Sequence, residues 1–356
     1  MRYEIGSHFE FDHNIKKSSE MKNTWLPTVH DSAFTFSGRS AIEVAIQDIK
    51  LEREVERVYM PSYCCKSMVD PFVRNQIEVV FYNVYFEGGK RLQYNINPDL
   101  DCDIFFAMSY FGIEEFQNDS ILKHFKEKGT VIVEDITHRL LNKESYSVYT
   151  QYSIASLRKW FPIVSGGLIM KHEGNLNVKP NLDSNDLIEG KKQAMKQKTK
   201  YLRGEDIDKS MFLKTIAEFD LEFGKRDYRY KIDNFSLEIL EKVDVKLVQQ
   251  KRRNNARLLY NAVKNLKHIN FLIPKSISDN STPLFLPVMM ENNKRDNLRS
   301  FLIQHNVYCP IHWPNTELNS SSISNNELSL VCDQRYSDGD MVYIIELLEQ
   351  WHGRFT

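Results

Sequence analysis

The stretch Tyr152-Ser-Ile-Ala-Ser-Leu-Arg-Lys-Trp-Phe-Pro-Ile-Val-Ser-Gly-Gly-Leu-Ile-Met170 decides how this chain is read. Its apolar runs are too short for an independent helix and suit a β-strand, a tight turn carrying Ser156 and Lys159, and a second strand entered through Gly166-Gly167. A lysine at such a hinge is a candidate reactive amine. A surface lysine beside a glycine-rich turn is the alternative, so the neighbouring segments decide between them.

Upstream, short apolar runs alternate with helical stretches, the pattern of an α/β sheet. Strands are expected at Arg57–Met60, Ile77–Tyr82, Asp103–Met108, Thr130–Glu134, Tyr152–Ser156 and Gly167–Lys171, with helices at Lys66–Arg74 and Asn118–Lys128. Chemistry in such sheets collects where strands end and loops begin. Three strand ends carry reactive or polar groups: Pro61-Ser62-Tyr63-Cys64-Cys65, Ser109-Tyr110-Phe111-Gly112 and Glu134-Asp135-Ile136-Thr137-His138. A carboxylate buried after Val131-Ile132-Val133 must be paired or protonated, because desolvating a lone charge costs several kcal/mol, on the order of the effective penalty for buried ions. A protonated pyridine nitrogen would serve as the cation, and the carboxylate would keep it protonated. A helix-capping Asp beside a satisfied His is the other reading. Nearer the N-terminus, Ser37-Gly38-Arg39-Ser40 precedes apolar residues at Ile42, Ala45, Ile46 and Ile49, the spacing of an amphipathic helix. Its free N–H groups and positive dipole end can hold a phosphate, with Ser40 adding a hydroxyl, or the turn is simply a capped helix start.

Residues 1–30 are polar and are expected to be irregular. The Lys-rich segment from Asn177 to about Asp220 reads as an exposed excursion or helical arm with a solvated face. Asp233–Leu266 reads as a long helix broken near Val243-Asp244, Pro283–Met290 as a strand, and Lys294–His305 and Asp338–Trp351 as helices. These divide the chain into a large domain at 1–240 and a small C-terminal α/β domain at 241–356. A net charge of −1 gives no reason to expect nucleic acid or an anionic membrane as partner. Five cysteines in no CxxC or Cys/His pattern indicate neither a disulfide framework nor a metal site, and favour a reducing, cytoplasmic setting. The sequence has no signal-like apolar core and no apolar run long enough to span a membrane.

In this order the pieces resemble the DegT/DnrJ/EryC1/StrS sugar aminotransferases. The resemblance implies fold-type I (aspartate aminotransferase-like), with a mixed, mostly parallel sheet in the large domain, and pyridoxal 5′-phosphate as cofactor. It makes Lys159, seven and eight residues ahead of Gly166-Gly167, the Schiff-base lysine. Asp135 would pair with the pyridine nitrogen and His138 would sit near the ring. Gly38, Arg39 and Ser40 resemble the phosphate turn, and Ser156 the hydroxyl that reaches the phosphate. Tyr63 is the candidate for stacking on the ring. Arg229, His312 and Arg335 are candidate substrate residues. The implied reaction moves an amino group from glutamate to a nucleotide-linked keto-sugar, for surface polysaccharide or a glycosylated metabolite, in a homodimer with a shared active site.

Three places depart from the family's pattern. Cys64-Cys65 stand where an aromatic often stacks, Asp227 replaces an Asn often donated to the neighbouring subunit's phosphate, and Ile154 replaces a Ser. They mark a divergent branch. A catalytically silent relative, a sugar dehydratase and an amino-acid aminotransferase are the competing readings. Lys159 disfavours the dehydratase, whose family members carry His there, and an amino-acid aminotransferase needs an Arg to clamp the α-carboxylate, for which Arg39, Arg229 and Arg335 are candidates.

Overall fold

The computed structural model describes residues 3–11, 29–87, 91–113, 119–272, 276–290, 294–313, 321 and 323–354. In chain order the strands are β1 (Ile5–Gly6), β2 (Asp31–Thr35), β3 (Arg57–Pro61), β4 (Glu78–Glu87), β5 (Arg91–Asn95), β6 (Ile104–Met108), β7 (Val131–Asp135), β8 (Tyr152–Ser156), β9 (Gly167–Lys171), β10 (Asn270–Phe271), β11 (Leu286–Met289), β12 (Val307–Tyr308) and β13 (Glu327–Leu330). The helices are α1 (Gly38–Lys50), α2 (Lys66–Arg74), α3 (Asp119–Glu127), α4 (Asn185–Leu202), α5 (Lys209–Phe223), α6 (Asn234–Lys242), α7 (Val245–Val263), α8 (Lys294–Gln304) and α9 (Asp338–His352).

Eight strands form one sheet in the order β2, β9, β8, β7, β6, β3, β4, β5. The run from β8 to β4 is parallel, while β9 is antiparallel to both neighbours and β5 is antiparallel to β4. β6 and β7 are buried at every residue, as expected of parallel strands covered on both faces. Parallel alignment brings the carboxyl ends of β3, β6, β7 and β8 to one edge. The three strand ends singled out above, and the lysine turn, therefore meet there.

Helix α1 is fixed from both ends of its buried face. Ser37 caps it, its Oγ accepting from the Ser40 N–H at 3.0 Å. Farther along, buried Asp48 accepts from Lys171 Nζ and Tyr152 Oη, each at 2.8 Å, tying α1 to β9 and β8. Downstream, β10, β11 and β13 form a three-stranded antiparallel sheet, packed with α7, α8 and α9 around Leu298, Phe301, Ile344, Leu348 and Trp351.

Strands β8 and β9 span the expected residues, and the break before α7 falls at Val243-Asp244, where Val243 is extended and Asp244 caps α7. Asn118, the first residue of one expected helix, lies outside the described residues. Two expectations are corrected. The segment from Asn177 carries α4 and α5, in keeping with the helical arm, but the face of α4 bearing Lys191 and Lys198 is buried, not solvated. The N-terminal segment contributes β1, which pairs in parallel with β12 and buries Ile5 in the C-terminal core. β2 and β5 were not expected because both are sheet-edge strands rich in polar residues.

Candidate active site

β8 delivers the lysine turn, and a single 3₁₀ turn, Leu157–Lys159, follows it directly. Two glycines weld this hairpin to the start of α1. Gly166 has φ +147°, and a side chain on it would press Ile163 Cδ1 at 2.8 Å. A Cβ on Gly167 would lie 2.1 Å from the Ser37 carbonyl oxygen, so β9 can run this close to the α1 cap only as glycine. Ser37-Gly38 and Ser156-Lys159 are thereby held side by side, with an ideal Cβ on Gly38 only 3.1 Å from Ser156 Cβ.

Thr137 links the acid to the same turn. Its N–H donates to Asp135 Oδ1 at 2.8 Å, its Oγ1 accepts from the Ser156 N–H at 3.0 Å, and its carbonyl accepts from Trp160 Nε1 at 2.6 Å. Asp135 is buried, and burial pushes its carboxyl above the usual range, opposed by the Thr137 hydrogen bonds and the Lys159 charge. No cation pairs with it among the described residues.

These groups line a cavity of about 410 Å³ whose wall includes Ser37, Gly38, Arg39, Asp135, Ser156 and Lys159. Lys159 also borders a second cavity of about 420 Å³, walled by Gly6–Phe9, Arg158, Lys191, His312 and Arg335. Its Nζ lies 5.6 Å from the centre of the Trp313 ring.

Of the expected site residues, the structure brings Gly38, Arg39, Asp135, Ser156 and Lys159 together around the first cavity. Arg39 is held there by Nη1 donating to the Gly224 carbonyl at 2.8 Å. Ser40 is close by but turned inward, its hydroxyl 3.0 Å from that of Ser37 within the cap. His138 stands in an aromatic nest with Phe111, His312 and Trp313, its ring stacked 5.5 Å from Trp313. The Phe111 N–H donates to His138 Nδ1 at 3.0 Å, so the neutral ring carries its proton on Nε2, a buried atom with no partner. Burial, then the Lys159 charge, holds this imidazole well below its ordinary pKa.

Tyr63 is not on the cavity wall. Its ring packs against Tyr110 and Trp313, and Cys65, Ser67 and Met68 take the wall beside α2 instead. Arg229 is exposed and forks onto Asp227, which is thereby held below the usual carboxylate range, and it borders neither cavity. Arg335 reaches the second cavity already occupied, by a two-point pair with Asp333 at 2.8 and 2.9 Å and by Glu10 at 3.1 Å. His312 borders the second cavity and is fixed by buried Glu327, which accepts from its N–H at 2.7 Å. Sequence reading missed Arg158, Lys191, Asp220 and Phe223, which enter from the lysine turn, α4 and α5. Thr137 was legible as part of the acid segment, without a role.

The residues present fit pyridoxal 5′-phosphate. A buried carboxylate with no ion-pair partner among the described residues, a buried imidazole N–H with no hydrogen bond to them, and a glycine-lined helix start beside a serine and a lysine match a cationic ring bearing a phosphate. The fold is that of the fold-type I pyridoxal phosphate-dependent transferases. It is similar to the aminotransferase TlmJ of Streptoalloteichus hindustanus (TM-score 0.63, 14% identity, covering 91% of this chain and 86% of that one). It is likewise similar to Helicobacter pylori PseC, an aminotransferase involved in the biosynthesis of pseudoaminic acid (0.63, 13%, 93% and 88%). Spr1654 of Streptococcus pneumoniae in its PLP form matches over 99% of this chain and 100% of its own, with TM-score 0.67 at 12% identity. No family model and no curated protein sequence matches the chain.

Proposed function

We propose that the protein is a pyridoxal phosphate-dependent aminotransferase that takes an amino group from glutamate and gives it to a nucleotide-linked keto-sugar. The observation that carries this reading is the position of Lys159, at the junction of a cavity built for a phosphate-bearing cationic ring and a second, basic cavity. The names of the structural neighbours support amino transfer, and that of PseC supports a sugar pathway.

When bound, the cofactor supplies an electron-accepting ring that stabilises negative charge at a substrate carbon. Asp135, already desolvated and oriented by the Thr137 N–H, would pair with the ring nitrogen and hold its proton. The first turn of α1 and the Ser156 hydroxyl would bind the phosphate. Lys159 Nζ would take and return the proton at the substrate carbon. The Trp313 ring lies 5.6 Å from that amine, and His138, stacked on the same ring, offers an oriented Nε2–H.

The same proposal includes a homodimer, a cytoplasmic location, and a large unit at 1–240 with a smaller one at 241–356. Among the described residues no helix is long and apolar enough to cross a membrane. Mixing the protein with pyridoxal phosphate should produce a bound-cofactor absorption band that borohydride fixes to the chain, and Lys159→Ala should abolish the fixation. Turnover is then measured from glutamate to a panel of keto-sugar nucleotides. A protein that binds cofactor identically with and without Lys159 ends the proposal.

A further inference from the structure

The second cavity holds more positive charge than the protein itself neutralises. Among the described residues Arg158, Lys159, Lys191, Arg252, Arg299 and Arg335 border it, against one carboxylate on the wall, Asp333. Arg335 is spent on Asp333 and Glu10, and Arg252 on Gln334 and the carbonyls of Pro283 and Leu284. Arg158 donates to Asp220 at 3.1 Å and lies over the Phe223 ring. Arg299 gives a single N–H to the Cys309 carbonyl at 3.4 Å.

Lys191 is the outlier. Its side chain is only 5% exposed, yet its Nζ makes no hydrogen bond. The nearest carboxylate oxygen, on Asp220, is 3.8 Å away and is shared with Arg158, and the Phe219 ring lies 5.2 Å from the amine. A buried ammonium has three donors to satisfy, and here the described residues satisfy none with a hydrogen bond. The groups around it are Arg158 from the lysine turn, Asp220 from α5, Lys198 from α4 and His8 from the segment after β1.

We propose that Lys191, with Arg158 and Arg299 on the same wall, binds an oxyanion carried by a substrate. The inference rests on the aminotransferase reading for what that substrate is. The shared chemistry has two sources there, a carboxylate of the amino donor or a phosphate of the nucleotide-linked acceptor. Lys191 is then a specificity-determining residue, and the bound oxyanion supplies the acceptor atoms that its ammonium lacks. Burial, with Arg158 next, lowers its amine to about 8, while Asp220 opposes the shift, so the unliganded site pays for its vacancy of acceptors within the accessible pH range.

The test uses calorimetry on the full chain, cofactor-loaded and cofactor-free, with glutarate and pyrophosphate as unreactive probes. Wild type should bind at least one probe, and which one identifies the source. Lys191→Met should weaken that probe about tenfold or more, the worth of a charge-assisted hydrogen bond, and Lys191→Arg should keep it. Affinity in the wild type should fall as pH rises past about 8, and this break should vanish in Lys191→Arg, which stays charged. Lys198, also lowered to about 8 by burial, is unchanged in that variant and serves as the internal control. Equal binding by wild type and Lys191→Met, no binding of either probe, or a break that persists in Lys191→Arg overturns the proposal. A chain that binds a probe through Lys191 but never takes up pyridoxal phosphate would instead overturn the aminotransferase reading and leave the anion site standing.

Discussion

Gly167→Ala tests whether the lysine hairpin and the α1 cap are one rigid unit. The added methyl would sit 2.1 Å from the Ser37 oxygen, 2.3 Å from the Ser37 carbonyl carbon and 2.4 Å from Thr35 Oγ1. Ordinary contact is about 3.5 Å, so one backbone must retreat by more than about 1 Å. The movement would break two bonds on that seam, Gly166 N–H to the Phe36 carbonyl at 2.7 Å and Thr35 Oγ1 to the Ser37 carbonyl at 2.8 Å. At about 1 kcal/mol each, added to about 1–3 kcal/mol for overpacking, the expected loss is about 3–5 kcal/mol. That is a large share of the roughly 5–15 kcal/mol that holds a domain folded. Urea unfolding measures it, with Gly190→Ala as control: that glycine is exposed in α4 with only a distant methyl nearby, so alanine there should be neutral or stabilise by up to about 1 kcal/mol. A Gly167→Ala protein within about 1 kcal/mol of wild type, with unchanged cofactor affinity, would refute the weld.

Asp135→Asn should weaken pyridoxal phosphate binding by about 10- to 150-fold, the worth of about 1.5–3 kcal/mol for a hydrogen bond between charged groups, as read by absorbance titration. In the unloaded protein the sign reverses: burial raises the Asp135 pKa, so its penalty is absent in acid and grows as pH rises through the folded value. The Asn variant should therefore lose less stability between acid and neutral pH than wild type, and a steeper loss in urea midpoints would count against it. Asp48→Asn leaves the buried Lys171 ammonium without its main partner, for an expected cost of about 3–5 kcal/mol in denaturant unfolding. Burial pushes the Asp48 carboxyl up, but hydrogen bonds from Lys171, Tyr152 and the 177–178 backbone outweigh it and hold it below the usual range. Its stabilisation is thus present above the ordinary carboxylate pKa and lost as pH falls through the lower folded value, and the variant should lack that acid-side dependence.

What was legible in the sequence follows the range of the interactions involved. The lysine turn, the acid after β7 and the α1 start are each coded locally, by a strand, its end residue and a glycine, and the parallel sheet brings them together. Tyr63, two residues before the wall residue Cys65, turns its ring into the aromatic nest instead of the cavity. Arg229 and Arg335 share a different feature: each has an aspartate two residues upstream, Asp227 and Asp333, to which its guanidinium donates. An Asp-x-Arg spacing was readable as a self-pairing, and it argues against both arginines as free carboxylate clamps.

Lys191 was hidden by the opposite circumstance. In a run of lysines every member reads as solvated, and nothing in α4 itself says that its lysine face is covered by residues 6–9, which reach it only because β1 pairs with β12 across 300 positions of sequence. Those N-terminal residues shut the wall of the second cavity, and Arg335 and Lys198 hold the segment through the His8 carbonyl and Glu10. Arg335, a candidate substrate residue in the sequence, and Lys198, read there as solvated, are therefore fastenings for the cover, and the amine that the cover encloses has donors left to give.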